Sequence, residues 1–115
     1  NDIIINIIVK KRPVNMFYEA VRITETDLPV LTCSGVKFAD TGLCNICIGA
    51  RPGKAVIVKD TYDILSSGIS EESIEKFADF VEKNLPTQGN MRGSAGYRSH
   101  LAGVLTKRAL ININK

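Results

Sequence analysis

Hydrophobic positions change period halfway along the chain. Ile3-Ile4-Ile5-Asn6-Ile7-Ile8-Val9 is a continuous β-branched run, the pattern of a strand covered on both faces or placed at a subunit contact. Lys10-Lys11-Arg12-Pro13 ends it with charge and a missing backbone donor. Residues 16–23, Met-Phe-Tyr-Glu-Ala-Val-Arg-Ile, suit a second strand or a helical turn equally. The runs 28–38 and 43–50 flank Ala39-Asp40-Thr41-Gly42, whose Asp and Gly suit a tight reversal, so they predict an antiparallel hairpin. In the second run Cys44, Ile46, Ile48 and Ala50 share a face. Arg51-Pro52-Gly53 is turn chemistry, and residues 55–58 predict a closing edge strand.

From residue 60 the spacing becomes helical. Asp60 can cap a short helix over 60–65 that Gly68 stops. Ser70-Glu71-Glu72 puts a capping hydroxyl and two acids at the positive end of the next helix, whose apolar face is Ile74, Phe77, Ala78, Val81 and Leu85 before Pro86. A last helix is predicted from Ser94 towards Ile111, with Tyr97, Leu101, Val104, Leu105 and Ala109 on one side and Arg98, Lys107 and Arg108 on much of the remainder. Strands first and helices after them predict an α+β fold: an antiparallel sheet of three to four strands followed by three helices packed on one face.

Composition narrows the class without naming it. The chain has 115 residues, 44% hydrophobic and 23% charged, enough to bury one core, and residues 1–115 are read as a single domain. It opens on Asn1-Asp2 and passes straight into an apolar run, which predicts a piece of a longer polypeptide. That run is too short for a bilayer helix and no signal peptide precedes it, so a soluble, cytoplasmic protein is expected. A net charge of +3, with acids interspersed among the bases, describes a solvated surface rather than a nucleic-acid stripe. Three cysteines beside one His argue for reduced thiols and against a disulfide framework.

Four short patterns resemble chemical motifs, and each has a plainer reading. Cys44-Asn45-Ile46-Cys47 has metal-knuckle spacing, but on a strand residues three apart point to opposite faces, and a second pair is missing. Gly49-Ala50-Arg51-Pro52-Gly53-Lys54 is one residue short of a phosphate loop, and Ala55 stands where a hydroxyl should hold magnesium. Gly93-Ser94-Ala95-Gly96 has the wrong first spacing for a nucleophile elbow, and capping explains Ser94. His100 lies in a segment with no carboxylate from Asn84 onward. No catalytic constellation and no metal site is expected.

The most distinctive stretch is Met91-Arg92-Gly93-Ser94-Ala95-Gly96-Tyr97-Arg98, continued by Leu101-Ala102-Gly103-Val104-Leu105 and Arg108-Ala109-Leu110. It resembles a signature of the form D-x-R-G-S-A-x-Y-R, then L-x-x-V-L-x-x-R-A-L, near the C-terminus of the flavoprotein subunits of molybdenum hydroxylases. That family includes xanthine dehydrogenase and aerobic carbon monoxide dehydrogenase. Asn90 stands where the pattern usually has Asp. With lower specificity the resemblance extends upstream through an opening strand of the form I-x-I-x-V, Phe17-Tyr18, the Asp27-Leu28 step and the strand containing Gly49, so that it covers the chain from about Asp2 to Leu110.

The resemblance implies the C-terminal domain of a larger FAD-binding subunit, with the flavin held mainly by upstream domains and none in this segment. It implies partner subunits or domains that carry molybdopterin and iron–sulfur clusters, and electrons passing through FAD to NAD or another acceptor. Tyr18, Glu19 and Arg22 align with the segment that approaches the flavin, where the family commonly has basic residues at the places of Glu19 and Ile23. A carboxylate facing a flavin that becomes anionic on reduction is unfavourable. Arg92, Gly93, Ser94, Ala95, Tyr97 and Arg98 are the candidate docking residues. Small residues there permit close backbone approach, and Arg92 and Arg98 can pair with carboxylates or carbonyls of an adjoining domain. Two readings from other classes remain: a small basic nucleic-acid adaptor using Arg92, Arg98, Lys107 and Arg108, and a free-standing dimerisation module.

Overall fold

The computed structural model describes residues 2–115. Four strands, β1 (Val14–Val21), β2 (Leu31–Phe38), β3 (Cys44–Gly49) and β4 (Val56–Val58), precede two helices, α1 (Glu71–Asn84) and α2 (Ala95–Ile113). The strands form one antiparallel sheet in sequence order. The segment 16–23 therefore resolves as strand as far as Val21, and the 28–38/43–50 hairpin forms with Lys37 opposite Cys44. β2 starts only at Leu31, because Pro29 has no donor and the Val30 N–H is spent on the Val21 carbonyl at 2.7 Å.

Both helices cover the same sheet face. Leu31, Cys33, Ile46 and Ile48 from the sheet meet Ile74, Phe77 and Val81 of α1 and Ala102, Leu105, Ala109 and Ile113 of α2, all buried. Period-2 alternation on the strands and helical spacing on the helices thus converge on one apolar layer. Among the described residues none forms a layer over the opposite face, which carries Met16, Tyr18, Ser34, Val36, Asn45, Cys47 and Ile57.

Three sequence expectations are corrected. Residues 3–9 join no strand and lie exposed, because their apolar side chains find no cover within this sheet. The predicted helix over 60–65 is a pair of turns, so two helices stand where three were expected. Asp60 does act as a cap, accepting from the N–H groups of Ile64 and Leu65 at 2.8 and 2.7 Å, but Asp63 adopts φ 53° and stops propagation. On α2 the buried side is displaced from the one predicted: Tyr97 is 48% exposed, and Arg98 begins the buried row.

α1 begins as the sequence indicates. The Ser70 hydroxyl accepts from Ser73 N–H at 3.2 Å while the Ser73 hydroxyl accepts from Ser70 N–H at 2.8 Å, a reciprocal box using Ser in place of Glu. Ser70→Ala is expected to destabilise the chain by about 1 kcal/mol, read as a lower urea midpoint with an unchanged slope.

Candidate functional site

α2 enters the fold through a knot built on Arg98. Ser94 caps the helix by accepting from Tyr97 N–H at 3.1 Å, which fixes the first turn and aims residue 98 at the sheet. The Arg98 side chain is 1% exposed, and no carboxylate is among its hydrogen-bond partners. Its Nε donates to the Val30 carbonyl at 2.8 Å, Nη1 to the Gln88 and Gly93 carbonyls at 2.8 and 2.5 Å, and Nη2 to Asn90 Oδ1 at 2.6 Å. A buried cation with no carboxylate among its partners is tolerable because four of the five guanidinium N–H groups meet acceptors. The result ties the 88–93 loop, the entry to β2 and the start of α2 into one rigid corner.

Asn90 organises the loop around that guanidinium. Its Oδ1 also accepts from Arg92 N–H at 2.9 Å, and its backbone exchanges hydrogen bonds of 3.0 and 3.2 Å with Gly93. Asn90→Asp would keep both acceptor roles and place a negative charge beside the buried cation and near the positive end of α2. A gain of roughly 1 kcal/mol is expected, seen as a higher melting temperature that disappears at pH values below the carboxylate's pKa. That sign follows because a carboxylate stabilised by a cation has its folded pKa depressed, so its contribution is lost as pH falls through that value.

The small residues at this corner divide. A Cβ on Gly93 would lie 3.1 Å from Val30 Cγ1 and 3.4 Å from Tyr97 Cδ1, so its close approach is to this chain's own sheet entry. Gly96 faces open space, and the Ala95 carbonyl accepts from the Thr87 hydroxyl at 2.9 Å. The pairing that the sequence suggests between Arg98 and an adjoining domain is therefore made within the chain. Arg92 likewise meets Asp27, at 3.3 Å. Met91, 91% exposed, and Tyr97 point outward with Ser94 and Gly96. Its charge put Arg98 on the polar side of the helix in the sequence reading, yet its spacing from Ala102, Leu105 and Ala109 is that of one helical stripe.

The three flavin-proximal candidates also separate. Glu19 lies on the helix-covered face, where Arg108 Nη1 donates to its Oε1 at 2.6 Å. Tyr18 falls on the opposite, open face of β1 by the period of two, Arg22 follows one residue past the strand's end, and both are exposed. The unfavourable carboxylate is thus turned away from the surface that Tyr18 occupies. Around Tyr18 the open face forms a concavity of ≈ 460 Å³ lined by Met16, Val36, Asn45, Cys47 and Ile57, without a formal charge. The alternation Met16, Tyr18, Ala20 was the sequence signal for this face.

The remaining motifs resolve as structure. Cys44 packs towards the helices and Cys47 lines the open face, so the two sulfurs diverge. Burial, reinforced by Cys47 and Glu19, pushes the Cys33 thiol up to about 12, which keeps it an inert core group. Among the described residues no group of three or more His, Cys, Asp or Glu is placed to hold a metal. Arg51 closes the Gly49–Lys54 turn by donating to the Lys54 and Pro86 carbonyls, each at 2.8 Å. His100 finds a carboxylate on α1, Glu82 at 3.2 Å, but the pair is solvent-exposed. The four cations of the nucleic-acid reading do not form a patch: Arg98 is buried, Arg92 pairs with Asp27, Lys107 with Glu75 and Arg108 with Glu19. No described helix is long and apolar enough to cross a membrane.

Comparison with known proteins places this architecture. The model of the CO dehydrogenase flavoprotein C-terminal domain matches residues 16–113. Among solved structures, a carbon monoxide dehydrogenase from Hydrogenophaga pseudoflava that lacks the Mo-pyranopterin moiety superposes with a TM-score of 0.71 at 20% identity, covering 87% of this chain and 36% of that one. Quinoline 2-oxidoreductase from Pseudomonas putida 86 gives 0.71 at 19% identity, with 88% and 37% coverage. Reconstituted CO dehydrogenase from Oligotropha carboxidovorans gives 0.73 at 19% identity, again with 88% and 37% coverage. The chain therefore spans little more than a third of these relatives' chains. No curated protein sequence matches it.

Proposed function

Since the chain belongs to the CO dehydrogenase flavoprotein C-terminal domain family, we propose that it walls the flavin cleft of an FAD-binding subunit and docks the other parts of a molybdenum hydroxylase. In that reading electrons reach FAD from iron–sulfur clusters, after oxidation of substrate at a molybdopterin centre in partner subunits or domains. NAD or another acceptor takes them onward. FAD, where bound, would collect single electrons from the clusters and pass them on as the pair that an acceptor such as NAD takes. This chain contributes shape and position rather than bond-breaking groups.

The observation that carries the proposal is the uncharged, uncovered sheet face with Tyr18 within it and Arg22 at its end. A sheet face with Met16 and Tyr18 at 77% and 65% exposure is suited to burial against another surface. Its residues fit one part of FAD only. Tyr18 offers an aromatic body with a hydroxyl tip, and Arg22 a cation suited to electron-rich carbonyls. The concavity supplies no glycine-rich cradle and no cation for a pyrophosphate, so the phosphates belong elsewhere in the subunit.

The test is the sequence of the intact polypeptide. Glycine-rich FAD-binding segments are expected ahead of Asn1. A different domain directly upstream, with no flavin-binding segment anywhere in the subunit, would contradict the proposal.

A further inference from the structure

We infer that two copies of this chain pair through β1, antiparallel about Phe17, making one continuous sheet with their α2 helices side by side.

β1 ends the sheet, so one side of its backbone is free. The Pro13 carbonyl accepts from Ala39 N–H at 3.1 Å and the Val21 carbonyl from Val30 N–H at 2.7 Å. Backbone groups alternate in direction along a strand, so the odd-numbered residues spend theirs on β2, and Val14, Met16, Tyr18 and Ala20 turn theirs outward. Among the described residues none pairs with these groups. Sheet edges are usually kept short or guarded by lysine, proline or a bulge. β4 follows that rule: it has three residues and lies between Lys54 and Lys59. β1 does not. Its eight residues carry one charge, Glu19, which is turned to the helix side and held by Arg108.

This edge is complementary to itself. Directly opposed residues of an antiparallel pair share a face. Pairing about Phe17 sets Val14 against the copy's Ala20 and Met16 against its Tyr18, so all four outward residues bond. On the helix side Phe17 meets its own copy, and Glu19 meets the uncharged Asn15. Centring on Tyr18 would put Val14 opposite Arg22, past the strand's end, and centring on Glu19 would oppose two carboxylates. At each end of the proposed pairing Arg22 comes level with the copy's Arg12, whose charge Asp40 already meets at 2.6 Å.

α2 completes the surface. His100 and Lys107 reach α1 through Glu82 and Glu75, while Arg108 reaches β1 through Glu19. Tyr97, Leu101 and Val104 stand at helical spacing from Arg108 and therefore on the β1 side. Tyr97 is exposed and the other two are half-buried, although the hydrophobic pattern assigns all three to the core. A two-fold axis through Phe17, normal to the sheet, brings this stripe against the same stripe of the second copy, as an isologous contact requires. The open sheet face stays uncovered in such a pair, so the proposed flavin cleft does not depend on it.

Light scattering on the 115-residue chain tests the inference. The expected mass is that of two chains. Met16→Pro removes one outward N–H, which an edge strand tolerates, and Val104→Asp puts a carboxylate into the stripe of each copy. Each should return the mass to that of one chain with the circular dichroism unchanged; if Met16→Pro unfolds the chain, Val104→Asp decides. A monomer at all concentrations up to about 100 µM would overturn the inference. So would a dimer that persists in the folded variants. The register has its own readout. Opposed residues at the axis stand about 4.5 Å apart between Cα atoms, within reach of a disulfide. Under mild oxidation Phe17→Cys should therefore cross-link the pair where the unsubstituted chain and Asn15→Cys do not; cross-linking of Asn15→Cys alone would overturn the pairing about Phe17.

Discussion

Replacing Arg98 with Ala is expected to destabilise the protein by about 3 kcal/mol or more, and to lower its melting temperature by roughly 15 °C. The guanidinium makes hydrogen bonds of 2.5–2.8 Å to three backbone carbonyls and Asn90 Oδ1. Removing it leaves the Val30 carbonyl buried with that donor gone and opens a void at the meeting point of loop, strand and helix. Bonds to a charged donor contribute about 1.5–3 kcal/mol each when measured singly, although they do not add. Arg98→Met separates the two causes: it fills most of the void and restores no donor, so a loss close to that of Ala assigns the effect to the bonds. Arg98→Lys should fall between, because an ammonium cannot satisfy four acceptors spread around a plane. A loss below about 1 kcal/mol for Ala would mean that the knot does not hold the corner.

Gly35→Val should rank second, at about 2–3 kcal/mol of destabilisation. Gly35 lies in mid-strand on the helix-covered face, where a Cβ would stand 3.1 Å from Ile46 Cδ1, 3.2 Å from Ala109 Cβ and 3.5 Å from Ile113 Cγ2. Two effects oppose each other. Valine prefers strand backbone, worth at most about 1 kcal/mol, while the clash presses on a short Ala side chain that moves only if α2 moves. Overpacking therefore prevails. The coupling is checkable: Gly35→Ala should be partly rescued by Ala109→Gly, in excess of the sum of the two single effects. Equal and additive single losses would show that the helix does not approach the sheet through this pair.

The fold was legible wherever one residue type carried one message. The hairpin around residues 39–42, the closing strand at 55–58 and the capped helix after Ser70 all formed close to their expected limits. Errors arose where a local signal was outweighed by something distant. Asp60 caps a turn as its chemistry suggests, but the left-handed conformation at Asp63 ends the helix before it starts. The apolar run 3–9 has the composition of a strand and lacks a partner in this sheet, which propensity cannot reveal.

The candidate site was half legible for a related reason. The signature from Met91 to Arg98 identified the corner, but not which of its groups face inward. Hydrophobic patterning assigns an arginine to the solvent side, and only the acceptors gathered from Val30, Gln88 and Gly93 make its burial favourable. Those acceptors are backbone atoms, invisible to any reading of side-chain type. The split between Tyr18 and Glu19, by contrast, follows from strand parity alone once 14–21 is known to be a strand.

Spectrophotometric titration of the 115-residue chain with FAD measures the central claim most directly: this domain shapes a flavin cleft without holding the cofactor by itself. The account predicts a colourless protein after purification and desalting, with no saturable one-to-one binding when FAD is added back. A yellow protein retaining stoichiometric FAD would contradict it, and would place the cofactor's phosphate-binding groups within these residues.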